Sequence, residues 1–308
     1  MKGYKEVKNS AGIRRNDELG VLELRGDDAL DFLDRSVTNE LDGMDNEGRR
    51  ALYLTPEGRT RADLHVLDAG NRLLVVTARA NEMKETWEKN IFIEDVEVAK
   101  TEYEVVELRG SDSADVLDSL TDELPNEPHD FAVIEFGAEE PAYVMRASLS
   151  VEGYILLPSG VSADNFLGDA DIPRFSDSTA EILRVESGIP AFENELEGNI
   201  PLEAGLYDVV SFEKGCYIGQ EVVARVEQRG GGPSRRLLGF ALSGEAEEGD
   251  AVLAGGSAVG EITSVVESPE YGHIALGYID IETGSERDEI EIGSEGIKAE
   301  VRELPFEK

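Results

Sequence analysis

Apolar positions along the chain recur with two periods, and the points where the period changes divide it into elements. Residues 21–34 read VLELRGDDALDFLD: a short alternating strand, an Arg-Gly turn, then an aspartate-capped helix with apolar residues at helical spacing. Residues 105–118 read VVELRGSDSADVLD and match the first copy at nine of fourteen positions with a constant offset of 84. Two copies of one βα unit predict two similar α+β subdomains. The competing reading is convergence on a common strand–turn–helix pattern.

Between the copies the pattern predicts a strand meander. Ala51-Leu54 and Ala62-Leu67 flank the turn at Pro56-Glu57-Gly58, and Leu73-Thr77 follows Gly70-Asn71. Helical spacing then predicts a helix over 80–90, carrying the only tryptophan, Trp87, and another over 179–187 that ends at Gly188-Ile189-Pro190. Acidic segments near 121–129 and 161–175 read as connections. Gln228-Arg229-Gly230-Gly231-Gly232-Pro233 cannot continue a helix and makes a natural hinge. Beyond it, six short β-branched runs separated by glycine turns (237–242, 251–253, 258–266, 274–279, 289–292 and 297–301) predict a small barrel or sandwich.

Composition changes this picture in one respect. A hydrophobic fraction of 40% over 308 residues is ordinary for a globular chain of two or three domains, but 66 acids against 29 bases give a net charge of -37. The acids are spread along the chain. This reads as an acid-coated surface that stays hydrated in concentrated salt, hence a salt-rich cytoplasm; the alternative is a basic partner. Nucleic-acid binding is not expected, because Arg14-Arg15, Arg49-Arg50 and Arg235-Arg236 are isolated doublets beside acids. The N-terminal residues lack the apolar core of a signal peptide and no apolar stretch approaches eighteen residues, so a cytoplasmic protein without membrane contact is expected. A single cysteine excludes an internal disulfide or a multi-cysteine metal site, and His65, His129 and His273, without ligand spacing, read as surface or packing residues.

That cysteine, Cys216, lies between Gly215 and Gly219, ahead of a helix expected from Ile218 to Gln228 with Ile218, Val222 and Val226 as its buried stripe. Lys214 two residues before it and the helix N-terminus after it both favour a thiolate. The bare residue reads equally as a small buried apolar group.

The segment KGCYIGQEVVAR, residues 214–225, resembles the signature of the YgfZ family, folate-binding proteins of iron–sulfur cluster maintenance related to the glycine cleavage T-protein. Gly26-Asp27-Asp28-Ala29 through Phe32-Leu33 and Thr38-Asn39 resembles the superfamily's N-terminal motif. Arg184-Val185-Glu186-Ser187-Gly188 followed by Pro201-Leu202-Glu203-Ala204-Gly205-Leu206 resembles its central one. The resemblance implies an α+β chain of three domains around a central folate channel: a ferredoxin-like domain from 1–50 with 146–230, a second from 51–145, and a β-barrel from 231–308.

It also implies a site for tetrahydrofolate. Glu186 falls where the T-protein has its pterin-binding glutamate; a buried carboxylate accepts two pterin donors at once. Asp63 falls at the catalytic aspartate, where a carboxylate steers protons or stabilises cationic charge. Leu74 and Val76 match positions whose main chains meet the pterin, and Lys214 falls near a folate-binding arginine. Read bare, Glu186 is a helix-end residue, and Asp63 an outward polar residue of an alternating strand. The pattern departs from the T-protein at Gly58-Arg59 and Ala62-Asp63, where that family has paired glycines and paired acids. The leading expectation is a tetrahydrofolate-dependent factor serving iron–sulfur client proteins through Cys216. The alternatives are an aminomethyltransferase and a non-catalytic folate scaffold.

Overall fold

The computed structural model describes residues 2–118, 120–121, 123–135, 140–147, 152–160, 163–167, 172–228, 232–281 and 290–307. The chain falls into two compact units: Met1–Leu54 with Ala62–Thr179 and Val209–Ile218, and Thr55–Arg61 with Ala180–Asp208 and Gly219–Lys308.

The first unit holds two five-stranded sheets. One contains β1 (Gly12–Arg15), β7 (Val106–Arg109), β8 (Phe131–Ile134), β9 (Ala142–Arg146) and β10 (Gly153–Leu157) in the order β1-β7-β10-β9-β8. The other contains β2 (Gly20–Arg25), β3 (Gly48–Leu54), β4 (Thr60–Asp68), β5 (Leu73–Thr77) and β6 (Glu97–Lys100) in the order β3-β4-β5-β2-β6. Strand alternation sorts the side chains between faces. Leu22, Leu24, Leu64, Val66 and Val75 pack beneath α2 (Ala29–Asp34) and α3 (Ala80–Asn90), which contribute Phe32, Leu33, Met83 and Trp87. Val21, Leu67, Leu74 and Val76 point the opposite way and pack with Tyr143, Met145, Ile155 and Leu157 of the other sheet. The outer face of that sheet is closed by α4 (Ser113–Leu117) and α5 (Ala163–Phe166) through Leu117 and Phe166. Helix α1 (Tyr4–Asn9) precedes β1, and α6 (Asp177–Glu186) follows the sheets.

The sequence repeat is a structural repeat. β2 and β7 are inner strands of their respective sheets, and each turns into its helix at a glycine with positive φ, 115° at Gly26 and 128° at Gly110. A Cβ at Gly26 would lie 2.0 Å from the Asp95 carbonyl oxygen, and one at Gly110 2.1 Å from that of Ser10, so close backbone approach as well as φ requires glycine. The glutamate of each copy is paired alike: Glu23 with Arg25 and Arg72, Glu107 with Arg109 and Arg14. Asp28 and Asp112 sit at the N-caps as expected but make no capping bond; their carboxylates take the Asp95 N–H and the Ser10 hydroxyl instead.

The division expected between residues 50 and 51 runs through one sheet, which holds both β2 and β3. The first repeat strand finds its partner inside the meander, with Leu22 opposite Val75, so the continuous stretch from β2 to β6 forms one sheet and the segments flanking it form the other.

In the second unit, β11 (Arg235–Leu242), β12 (Ala251–Ala254), β13 (Ser257–Ser268), β14 (Gly272–Asp280), β15 (Ile290–Ile292) and β16 (Ile297–Arg302) close an antiparallel barrel around Phe240, Val252, Ile262 and Ile279. The α+β class and the C-terminal barrel are those expected. A π-helical turn (Phe192–Leu196) and a 3-10 turn (Pro201–Ala204) lie against the barrel. Helix α7 (Gln220–Gln228) begins two residues later than expected and buries Val223, while Ile218 joins the core of the first unit. Of the expected hinge, Arg229, Gly230 and Gly231 lie outside the described residues. Among the described residues no helix is long and apolar enough to cross a membrane.

Candidate functional site

The segment Val209–Ile218 is stitched to the turn after α2. The Thr38 hydroxyl donates to the Val209 carbonyl (2.7 Å) and accepts the Leu52 N–H (2.9 Å), while the Ser211 N–H donates to the Thr38 carbonyl (2.9 Å). Lys214 completes the stitch. Its side chain is 1% exposed, and Nζ donates to Asp34 Oδ1 (2.8 Å) and to the carbonyls of Asp34 (2.6 Å), Val37 (3.3 Å) and Asn39 (2.6 Å). An ammonium among the last carbonyls of a helix is favourably placed, and here it also meets a carboxylate. Burial lowers the pKa of Lys214 against the opposing pull of Asp34. Burial raises that of Asp34, but Lys214 and the Leu41 and Asp42 N–H groups outweigh it and hold the carboxyl below its ordinary value.

The Lys214 ammonium is therefore engaged with the α2 terminus, and α7 starts four residues beyond Cys216, whose side chain is exposed. Tyr217 is turned the other way: it is 7% exposed, its hydroxyl has no hydrogen-bond partner among the described residues, and burial pushes its pKa up to about 12.

From Lys214 a chain of polar contacts runs through the first unit to Asp63. Lys214 donates to the Asn39 carbonyl, the Asn39 amide donates to the Arg50 carbonyl (2.8 Å), and the Arg50 guanidinium grips Asp63 with two bonds of 2.9 and 2.7 Å. Burial alone would raise the Asp63 carboxyl, but the charge of Arg50 and its hydrogen bonds hold it below the ordinary range. His65, on the same face of β4, has its Nδ1 3.3 Å from Nδ1 of His129, a residue in the left-handed region at φ 72°. Burial lowers these imidazoles to about 4 and about 3.

Leu74 and Val76 lie on β5, which pairs with β4 on one side and β2 on the other; their side chains are fully buried between the two sheets. Glu186 belongs to the second unit. At 5% exposure it accepts the Ser268 hydroxyl on Oε1 (2.6 Å), and its carbonyl accepts the Phe306 N–H. Among the described residues no cluster of three or more His, Cys, Asp or Glu has the geometry of a metal site. Residue types alone gave no reason to single out Arg50 or Tyr217, or to join His65 to His129 across 64 positions. The one available signal was the Thr38-Asn39 motif, whose Thr38 hydroxyl and Asn39 carbonyl make part of the stitch.

Residues 2–156 match the family described as the GCVT N-terminal domain, and residues 235–308 match the glycine cleavage T-protein C-terminal barrel domain. The aminomethyltransferase of Bacillus subtilis is 29% identical over 332 residues, covering 100% of this chain and 90% of that one. The probable aminomethyltransferase of Natronomonas pharaonis is 28% identical, covering 97% and 88%. A chloroplastic protein of Arabidopsis thaliana is 30% identical over 302 residues, covering 93% and 69%. Among solved structures, the glycine cleavage system aminomethyltransferase T of Bartonella henselae shares the fold with a TM-score of 0.87 at 22% identity, over 99% of this chain and 88% of that one.

Proposed function

The chain belongs to the glycine cleavage T-protein family, and on that footing we propose that it binds tetrahydrofolate and supports iron–sulfur client proteins through Cys216. The observation that carries this reading is the contrast within one segment: Lys214 and Tyr217 are buried, while Cys216 between them is displayed on a tethered loop. Such a loop presents a thiol to a large partner. One thiol is too few to hold a cluster alone, so any iron is shared with a client.

Glu186 has the chemistry to hold a reduced pterin. It is a buried carboxylate that already accepts one hydroxyl donor, that of Ser268, the kind of bond a pterin's N–H groups would make with it. When bound, tetrahydrofolate supplies the one-carbon carrier. Asp63, ionised and clamped by Arg50, stabilises positive charge better than it transfers protons at neutral pH. That clamp weighs against a proton-shuttling role, yet the names of the bacterial relatives favour a second reading, an aminomethyltransferase.

Complementation separates the two. A strain deleted for the gene receives wild type or Cys216→Ala, and iron–sulfur enzyme activity is measured beside glycine cleavage. We expect wild type alone to restore the iron–sulfur enzymes. Equal rescue by both, or restoration of glycine cleavage instead, would reject the iron–sulfur role.

A further inference from the structure

The loop between α3 and β6 exposes two consecutive large hydrophobic side chains. Phe92 is 82% and Ile93 95% exposed, whereas the next most exposed large hydrophobic among the described residues, Val133, is at 49%. Their neighbours Ile91 and Val96 pack against the core beneath α3, so the loop is anchored at both ends by apolar residues and presents the two between them.

The display is braced. Glu94 Oε2 accepts the N–H groups of both Phe92 and Ile93 at 3.0 Å, and the Val96 N–H closes onto the Glu94 carbonyl at 3.0 Å. The loop is also tied to the repeat turn: the Asp95 N–H donates to Asp28 Oδ2 (2.8 Å), and the Asp28 N–H donates to the Asp95 carbonyl (3.2 Å). A rigid apolar tip loses little conformational entropy on docking, and large exposed apolar groups held in place mark interaction sites. Its surroundings are mainly acidic: Glu94, Asp95 and Glu97 follow it in sequence and the Asp27 N–H donates to Asp95 Oδ2 (3.4 Å), against the charge of Arg35 acting on Glu94.

We propose that Phe92 and Ile93 form a docking tip for another protein that presents an apolar pocket rimmed by lysine or arginine. Charge selects this occupant. An anionic lipid surface repels the acidic rim. A second copy brings a net charge of -37, and a cavity of about 660 Å³ on its barrel is lined by Glu245, Glu247, Asp250, Glu267 and Glu295. A basic rim complements the tip, fixes its register and disfavours both alternatives.

The test places the photo-crosslinker p-benzoyl-phenylalanine at position 93 in cells that express the protein from its own gene. The crosslinked protein is identified, purified and titrated with wild type and variants. Phe92→Ser/Ile93→Ser should weaken binding by about thirtyfold or more and leave the melting temperature unchanged, because both side chains are already in solvent. Glu94→Ala, which keeps the tip but removes its brace, should weaken binding as well, and Asp27→Lys/Glu97→Lys should do so by charge reversal. The proposal is overturned by any of four results: no crosslinked protein, a crosslink only to a second copy, affinity unchanged in the double serine variant, or flotation of wild type with phosphatidylglycerol vesicles that the serine variant loses.

Discussion

Lys214 offers the sharpest test of how the cysteine loop is built. Lys214→Met keeps the length and apolar body of the side chain and removes the charge. It leaves the carbonyls of Asp34, Val37 and Asn39 without this donor, and the Asp34 carboxylate keeps the Leu41 and Asp42 N–H groups. Breaking a buried ion pair costs about 3–5 kcal/mol. The Asp34 side chain is 17% exposed and keeps those two donors, which reduces the figure to about 2–4 kcal/mol. For a chain of 308 residues that corresponds to a fall in melting temperature of about 3–6 °C. Circular dichroism melts in molar KCl measure it, and a double-mutant cycle with Asp34→Asn should return a coupling above about 1 kcal/mol. Cys216 alkylation by iodoacetamide gives the contrasting readout. If Lys214 served only the thiol, the variant would alkylate more slowly at unchanged stability. A melting temperature within about 2 °C of wild type, with no coupling to Asp34, would refute the scaffold role.

Three further outcomes are expected. Diluting KCl from molar to 0.1 M lengthens the screening distance from about 3 Å to about 10 Å, so a chain of net charge -37 should melt at a lower temperature in dilute salt; an unchanged midpoint would contradict this. Burial lowers the folded imidazoles of His65 and His129 to about 4 and about 3, below the unfolded value of about 6.5, so the unfolded state binds more protons and stability falls as pH drops from about 6.5 through about 3. At pH 5 the loss is on the order of 2 kcal/mol per imidazole, and His65→Gln/His129→Gln should flatten the pH dependence of the melting temperature. Glu186→Gln, which keeps an acceptor for Ser268, should weaken tetrahydrofolate binding by about thirtyfold in titration calorimetry; affinity within threefold of wild type would remove Glu186 from the site.

How much of this was legible in the sequence depends on the range of the interactions involved. Helix α3 spans the residues predicted for it, and the six barrel strands fall where β-branched runs alternate with glycine turns, because these signals are local. The sheet boundary was not legible, since the pairing of β2 with β5 joins residues about fifty positions apart, and alternation shows a strand without showing its partner. The His65–His129 pair and the Arg50 clamp on Asp63 rest on the same kind of non-local closure.

Within the signature segment the motif alone did not divide chemistry from scaffolding; burial does. A lysine two residues from a cysteine reads as a thiolate stabiliser until its ammonium is found at the last carbonyl of α2 and those of the turn after it, with a side chain 1% exposed. Thr38 and Asn39, in a motif 175 positions away, supply part of that socket, with the Asn39 carbonyl accepting from Lys214 and the Thr38 hydroxyl holding Val209. The N-terminal motif and the cysteine signature therefore hold one another, and Cys216 is the member left exposed. Substitutions at Lys214 and Thr38 should then act on Cys216 through the position of its loop, whereas substitution of Cys216 leaves the stitch intact and removes only the thiol.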